Sequence, residues 1–168
     1  MPVQYKFYNG AAPTTAALVT VTTGTAIKTM LQMKGVTGVQ YDVVEWGISF
    51  DGSAAATPIK CELIETGTVF ATVTAAAAAD IVKYSDPNAP ASTTYFSVGT
   101  AATGYTSTAE GTITASRLAD IQFIAPTNQF LYQFPLGTRF KADAVSALRI
   151  RVTAGAAVNC YCYVIVEV

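Results

Sequence analysis

The chain contains no histidine. That removes the Ser-His and Cys-His nucleophile pairs and the commonest transition-metal ligand. Charge is also scarce. Asp, Glu, Lys and Arg make up 12% of the 168 residues, with a formal net charge of -1, against about 25% in an ordinary soluble domain. The ten basic residues are scattered singly, apart from Arg149 and Arg151, whereas a protein that grips phosphates clusters its Lys and Arg. No nucleic-acid partner is expected.

Long hydrophobic runs are missing as well. Hydrophobic residues form 51% of the chain and mean hydropathy is +0.37, yet no stretch approaches the roughly 18 uninterrupted apolar residues of a membrane helix. No membrane partner is expected. The opening "MPVQYKFYNG" has neither a basic stretch followed by an apolar one nor an Arg-rich amphipathic pattern, so no cleaved targeting signal is expected. The glycine-rich phosphate loops and the nucleophile-elbow motif are absent. "GTAIKT" at 24–29 has the wrong spacing for a phosphate loop. The composition names no cofactor, and no residue is assigned a catalytic, cofactor-binding or metal-binding role.

What the chain does have is alternation. Short segments rich in Val, Thr, Ile, Tyr and Phe, separated by Gly, Pro and Asp, mark an all-β domain. Strands are expected over 3–9, 17–23, 27–34, 38–50, 58–66, 94–98, 111–115, 120–125, 129–134, 147–154 and 158–168. That is too many for one open sheet, so an antiparallel β-sandwich or a closed barrel follows, with one short helical turn at most. The length suits a single domain, 1–168, whose core needs no disulfide or metal. Asp51-Gly52, Pro135-Leu136-Gly137 and Ala154-Gly155 read as turns, the last joining the two closing strands into a hairpin. An alanine run opens residues 75–92 and suggests one or two helical turns before Pro87 and Pro90 impose an extended loop. Residues 99–109 read as a low-complexity loop or a weak edge.

Parity assigns faces within the strands. In "PIKCELIE", Ile59, Cys61 and Leu63 share one side, and Lys60 and Glu62 the other. In "LRIRV", Leu148, Ile150 and Val152 point inward, and Arg149 and Arg151 outward. Glu62 and Glu65 fall on opposite faces, which removes them as a local carboxylate pair. Asp86-Pro87-Asn88 begins like a calcium loop but lacks the later Gly and Glu, and reads as a solvated turn.

Cys160 and Cys162 raise the question of a metal or redox site. Residues two apart in a strand lie roughly 6.6–6.8 Å apart with parallel side chains, the wrong geometry for a disulfide. They share parity with Val158, Val164, Val166 and Val168, and only Cys61 remains as a further thiol, so both read as core residues. Phe130, Tyr132 and Phe134 alternate like a core strand, although aromatic rings can also stack on sugars.

With these segments in place, a resemblance can be stated. The C-terminal third, with "PLGTRF", "LRIRVTA" and "AAVN" leading into "CYCYVIVEV", together with "YKFYNG" and "EWGISFDG" (45–52), resembles the small jelly-roll capsid proteins of tailed bacteriophages, particularly those infecting actinobacteria. The resemblance implies a jelly-roll sandwich on the exterior of the virion, made in the host cytoplasm. It implies a decoration or minor capsid protein without enzymatic activity, which binds the major capsid protein and itself as a homotrimer. Residues 1–12 as an extended arm and the loop at 83–92 are the segments that such a role would use. The alternative is a carbohydrate- or receptor-binding β-sandwich module, suggested by the nine tyrosines and the long loops.

Overall fold

The computed structural model describes residues 2–53 and 56–168. Among these residues thirteen strands form two antiparallel sheets packed face to face, the architecture expected of strands that are apolar on one side. They are β1 (Gln4–Tyr8), β2 (Val21–Thr22), β3 (Ile27–Met33), β4 (Tyr41–Asp51), β5 (Ile59–Glu65), β6 (Thr72–Ala75), β7 (Ile81–Lys83), β8 (Gly104–Ala109), β9 (Arg117–Ile124), β10 (Gln129–Gln133), β11 (Phe140–Ala142), β12 (Leu148–Thr153) and β13 (Asn159–Glu167).

Sheet A has the order β10-β4-β13-β1-β7, with β11 on β4 and β2 on β13, and sheet B has the order β6-β8-β3-β12-β5-β9. Setting aside β6, β7, β8 and the two short strands β2 and β11, eight strands remain, and their two orders are β1-β13-β4-β10 and β3-β12-β5-β9. This is the double Greek-key winding of a jelly roll. Residues 66–116 form an excursion between β5 and β9 that widens both sheets on one flank: β7 adds to β1, while β8 and β6 add beyond β3.

Period-two burial builds the core. Tyr5, Phe7, Trp46, Ile48, Cys160, Cys162, Val164 and Val166 come from sheet A; Leu31, Met33, Cys61, Leu63, Leu148, Ile150 and Val152 come from sheet B. All three cysteines are free and buried. Burial pushes the Cys61 and Cys162 thiols well above their ordinary range, and the neighbouring Cys160 adds to the effect in both, so they sit in the core as neutral small hydrophobes.

The structure corrects several sequence expectations. The last two strands are not a hairpin: β12 pairs with β3 and β5, and β13 with β1, β2 and β4, so Ala154-Gly155 carries the chain from one sheet to the other. Residues 1–12 are not a free arm among the residues described, because β1 lies between β13 and β7 with Tyr5 and Phe7 fully buried. Strand 17–23 shrinks to Val21–Thr22. Residues 94–98 make only isolated bridges, Gly35 to Phe96 and Val98 to Thr103, beside a 3-10 turn at Ser92–Thr94. Residues 111–115 are irregular, and the presumed loop 99–109 contains β8. The alanine run does make a helical turn as expected, a 3-10 turn at Ala78–Asp80, but β7 follows it directly.

Arg149 is the most instructive correction. Its parity is outward, yet its exposure is 0%, because segments of the excursion lie across that side of sheet B. Its guanidinium donates to the Glu110 backbone carbonyl at 3.0 Å, to Glu110 Oε2 at 3.2 Å and to the Val69 carbonyl. Burial lowers its pKa, and Glu110 opposes that shift. Next to it, the Gln32 amide accepts from Ala71 N at 2.8 Å and donates to Ala102 O at 2.7 Å. Arg151 is partly buried and pairs with Glu62 at 3.1 Å.

Candidate functional site

With one flank widened by the excursion, the opposite flank is formed by β9 of sheet B and β10 of sheet A. Among the described residues β9 pairs only with β5 and β10 only with β4, so each keeps an unpaired backbone edge. The turn at 125–128 carries the chain from one sheet to the other, and the two strands make an arch over the side of the sandwich. Backbone bonds from Gly52 N to Pro126 O (2.8 Å) and from Phe50 N to Asn128 O (3.2 Å) seat its tip.

Registers across sheet B place the outward residues in rows. Gln32, Arg149, Ile64 and Leu118 form one; Thr29, Arg151, Glu62 and Ile121 the next; and Ile27, Thr153, Lys60 and Phe123 the third. The excursion buries Gln32, Thr29 and Arg149 and leaves Leu118, Ile121 and Phe123 open at the far end, Phe123 with 72% exposure. On the other arm and the turn that follows, Leu131, Tyr132 and Leu136 are exposed too. Six of the twelve large hydrophobic residues exposed among the described residues thus fall between 118 and 136. A patch of this kind is uncommon on a surface that meets only water.

The same segment is nearly free of charge. From 118 to 138 the one ionisable acid or base of the Asp, Glu, Lys and Arg set is Asp120. Its carboxylate is consumed internally: Oδ2 accepts from Trp46 Nε1 at 3.1 Å, and Oδ1 accepts from Ile121 N at 2.8 Å and Gln122 Nε2 at 2.9 Å. Phe130 packs against Trp46 at 5.3 Å between ring centroids, and Tyr132 meets Phe134 edge-on at 4.9 Å. Phe130 and Phe134 therefore do flank the core as their alternation suggests, and Tyr132, on the same face of β10 beside Trp46, is 41% exposed at the open edge.

The outer face of sheet A is different in kind. Its rows read Tyr8, Tyr163, Gly47, Leu131 and then Tyr161, Ser49, Gln129. Gly47 lets the Tyr163 ring lie against the sheet, since a Cβ there would stand 2.6 Å from the ring. The Tyr163 hydroxyl donates to Glu45 at 2.6 Å, and burial, then Glu45, pushes its pKa up. Lys6 Nζ sits 3.9 Å from the Tyr163 ring centroid, with Tyr8 and Tyr84 rings at 5.1 and 5.5 Å, a cation held by aromatic faces. Beside it a groove of about 290 Å³ runs between Tyr161, Tyr163, Leu131 and Gln129.

The other sequence candidates are placed as follows. Asn88 N donates to Asp86 Oδ1 at 2.8 Å in a closed turn. Glu62, in the middle of β5, is tied to Lys60 and Arg151, and Glu65, at its end, to Arg117 and the Asp143 amide. Among the described residues no group of three or more His, Cys, Asp or Glu is placed to hold a metal ion, and no helix is long and apolar enough to cross a membrane. No family model, curated protein or solved structure matches the chain.

Proposed function

We propose that the protein is a non-enzymatic structural component of a virion, a decoration protein that assembles as a homotrimer and binds the outer surface of a phage head through the major capsid protein. The observation that carries this reading is the bare flank: two unpaired strand edges and six exposed hydrophobic side chains in a segment whose single charge is already satisfied. The core of a stable interface is depleted of charge in the same way. The jelly-roll winding and the capsid-like motifs of the C-terminal third support the class of protein.

A ring is favoured over a twofold dimer by what lies on the opposite flank. There β7, the far edge of sheet A, borders a hollow lined by Ala78, Ile81, Val82 and Pro87, with Lys83 and Ser92 beside them. An arch of one copy against the hollow of the next is a head-to-tail contact, which closes into a ring when the rotation permits. The test is co-sedimentation of the purified protein with shells assembled from the major capsid protein alone. Saturable binding at a fixed ratio of protein to shell subunits supports the reading, and a protein that stays in the supernatant at micromolar concentration refutes it.

A further inference from the structure

The groove on the outer face of sheet A lies one face away from the arch stripe Leu118–Phe123, so a subunit packed on that stripe leaves it open. Its walls are the rings of Tyr161 and Tyr163 and the side chain of Leu131, and none of its lining residues is charged. The Tyr161 hydroxyl is fixed to the Leu18 carbonyl at 2.5 Å and the Tyr163 hydroxyl to Glu45, so both rings are held in place before any ligand arrives. Ser49 and Gln129 stand opposite one another on β4 and β10, and neither side chain has a hydrogen-bond partner among the described residues. The nearest cation, Lys6, is already engaged by three tyrosine rings, and the nearest carboxylate, Glu45, by the Tyr163 hydroxyl.

An occupant must therefore be uncharged. It must present an apolar face to rigid rings and carry both donors and acceptors for a free hydroxyl and a free amide. No charged side chain lines the groove to select an anionic ligand, and a purely apolar one would leave the Ser49 and Gln129 groups without partners, at a cost. We propose that this groove binds a neutral saccharide, with the apolar face of a pyranose ring against Tyr161, Tyr163 and Leu131 and ring hydroxyls bonded to Ser49 and Gln129. Its volume suits a short terminal unit of a glycan and lies near the lower end of ordinary ligand sites. On a particle surface such a site gives weak single contacts that multiply across many copies. This inference needs neither a shell nor the Leu118–Phe123 stripe; Leu131 is the one residue it shares with the exposed hydrophobic set of the flank.

The full-length protein is applied to an array of immobilised neutral and sulfated glycans, and the soluble form of the best neutral oligosaccharide is then titrated by saturation-transfer NMR. Neutral glycans should bind in the micromolar to millimolar range. Gln129→Ala, at an exposed position outside the hydrophobic set of the flank, should weaken binding tenfold or more without changing the melting temperature or the oligomeric mass; Leu131→Ala should weaken the affinity per protomer as much, and Tyr161→Ala should abolish it. Phe123→Glu should leave the affinity per protomer unchanged even if it abolishes assembly, so failure of the two readings is separable. No neutral glycan bound at millimolar concentration would overturn the proposal. So would binding indifferent to Gln129→Ala and Leu131→Ala, or a preference for sulfated glycans or for a proline-rich decapeptide.

Discussion

Trp46 on β4 and Asp120 on β9 join the two sheets across the open flank by a 3.1 Å hydrogen bond from Nε1 to Oδ2. Trp46 is fully buried. The bond fixes the arch to the sandwich and, in the same stroke, engages the one charge between residues 118 and 138, which leaves that stretch without a free charge.

Asp120→Ala should therefore cost about 1–3 kcal/mol, because the buried indole N–H loses its acceptor. Chemical denaturation with a matched Asp120→Asn variant checks this: the amide oxygen can still accept from Trp46, so Asn should recover part of the loss.

The pair Arg149–Glu110 gives a sharper contrast. Glu110→Ala leaves a fully buried guanidinium without its counter-charge, and a loss of about 3–5 kcal/mol is expected. Thr29 N and Oγ1, each 2.6 Å from the same carboxylate, lose their acceptor too. The double variant Arg149→Met with Glu110→Gln removes both charges and should be closer to wild type than Glu110→Ala alone. A double-mutant cycle on urea midpoints reads the coupling.

Thr106 has φ +54° at a bulge of β8, where Val73 pairs with Ser107 and Thr74 with Tyr105, and its buried hydroxyl has no partner. A β-branched residue pays about 1–2 kcal/mol for a left-handed backbone, while glycine adds unfolded-chain entropy of about 0.5–1 kcal/mol. Thr106→Gly should thus raise stability, by up to about 1 kcal/mol, as an increase in melting temperature. A decrease would mean that the Thr106 methyl packs better than its backbone is strained.

Alkaline stability follows from the raised thiols. Cys61 and Cys162 ionise in the unfolded chain near the ordinary value of 9.0 but remain neutral in the folded core. Above pH 9 the unfolded state holds fewer protons, so stability is full below that pH and falls as pH rises, by up to about 1.4 kcal/mol per pH unit for each group. Cys61→Val and Cys162→Val should flatten the decline between pH 9 and 10, leaving in place the share due to the tyrosines whose pKa burial raises, and cost under about 1.5 kcal/mol at pH 7. Native thiol reagents should label none of the three cysteines.

The jelly roll was legible where strands are long and their partners distant but regular. The parity of "PIKCELIE", "LRIRV" and "NCYCYVIVEV" assigned the core faces of β5, β12 and β13, and all three cysteines, because period two survives any choice of neighbour. What parity does not carry is the identity of the layer beyond. Arg149 points outward as expected, yet the 66–116 excursion covers it, and nothing local to "LRIRV" announces Val69 or Glu110. The excursion was the least legible region. Thr72–Ala75 and Gly104–Ala109 are short, rich in Ala, Thr and Gly, and strands by virtue of pairing with each other and with β3. "TYFSV" has strand composition, but Phe96 is spent as a core plug, edge-on to Tyr5 and Tyr41 at 5.6 and 5.3 Å. The arch was visible as two separate apolar strands. Its meaning as a surface required knowing that, among the described residues, β9 and β10 close no further pairs and that the opposite flank is extended by β7, β8 and β6.

The central claim is that this uncharged flank is a subunit interface, and the mass in solution tests it most directly. Light scattering at tens of micromolar should give about 53 kDa, three times the 17.6 kDa protomer, and Ile121→Glu with Phe123→Glu should give a folded monomer with an unchanged far-ultraviolet spectrum. A wild-type protein that remains at the protomer mass, or a double variant that still assembles, would contradict the account.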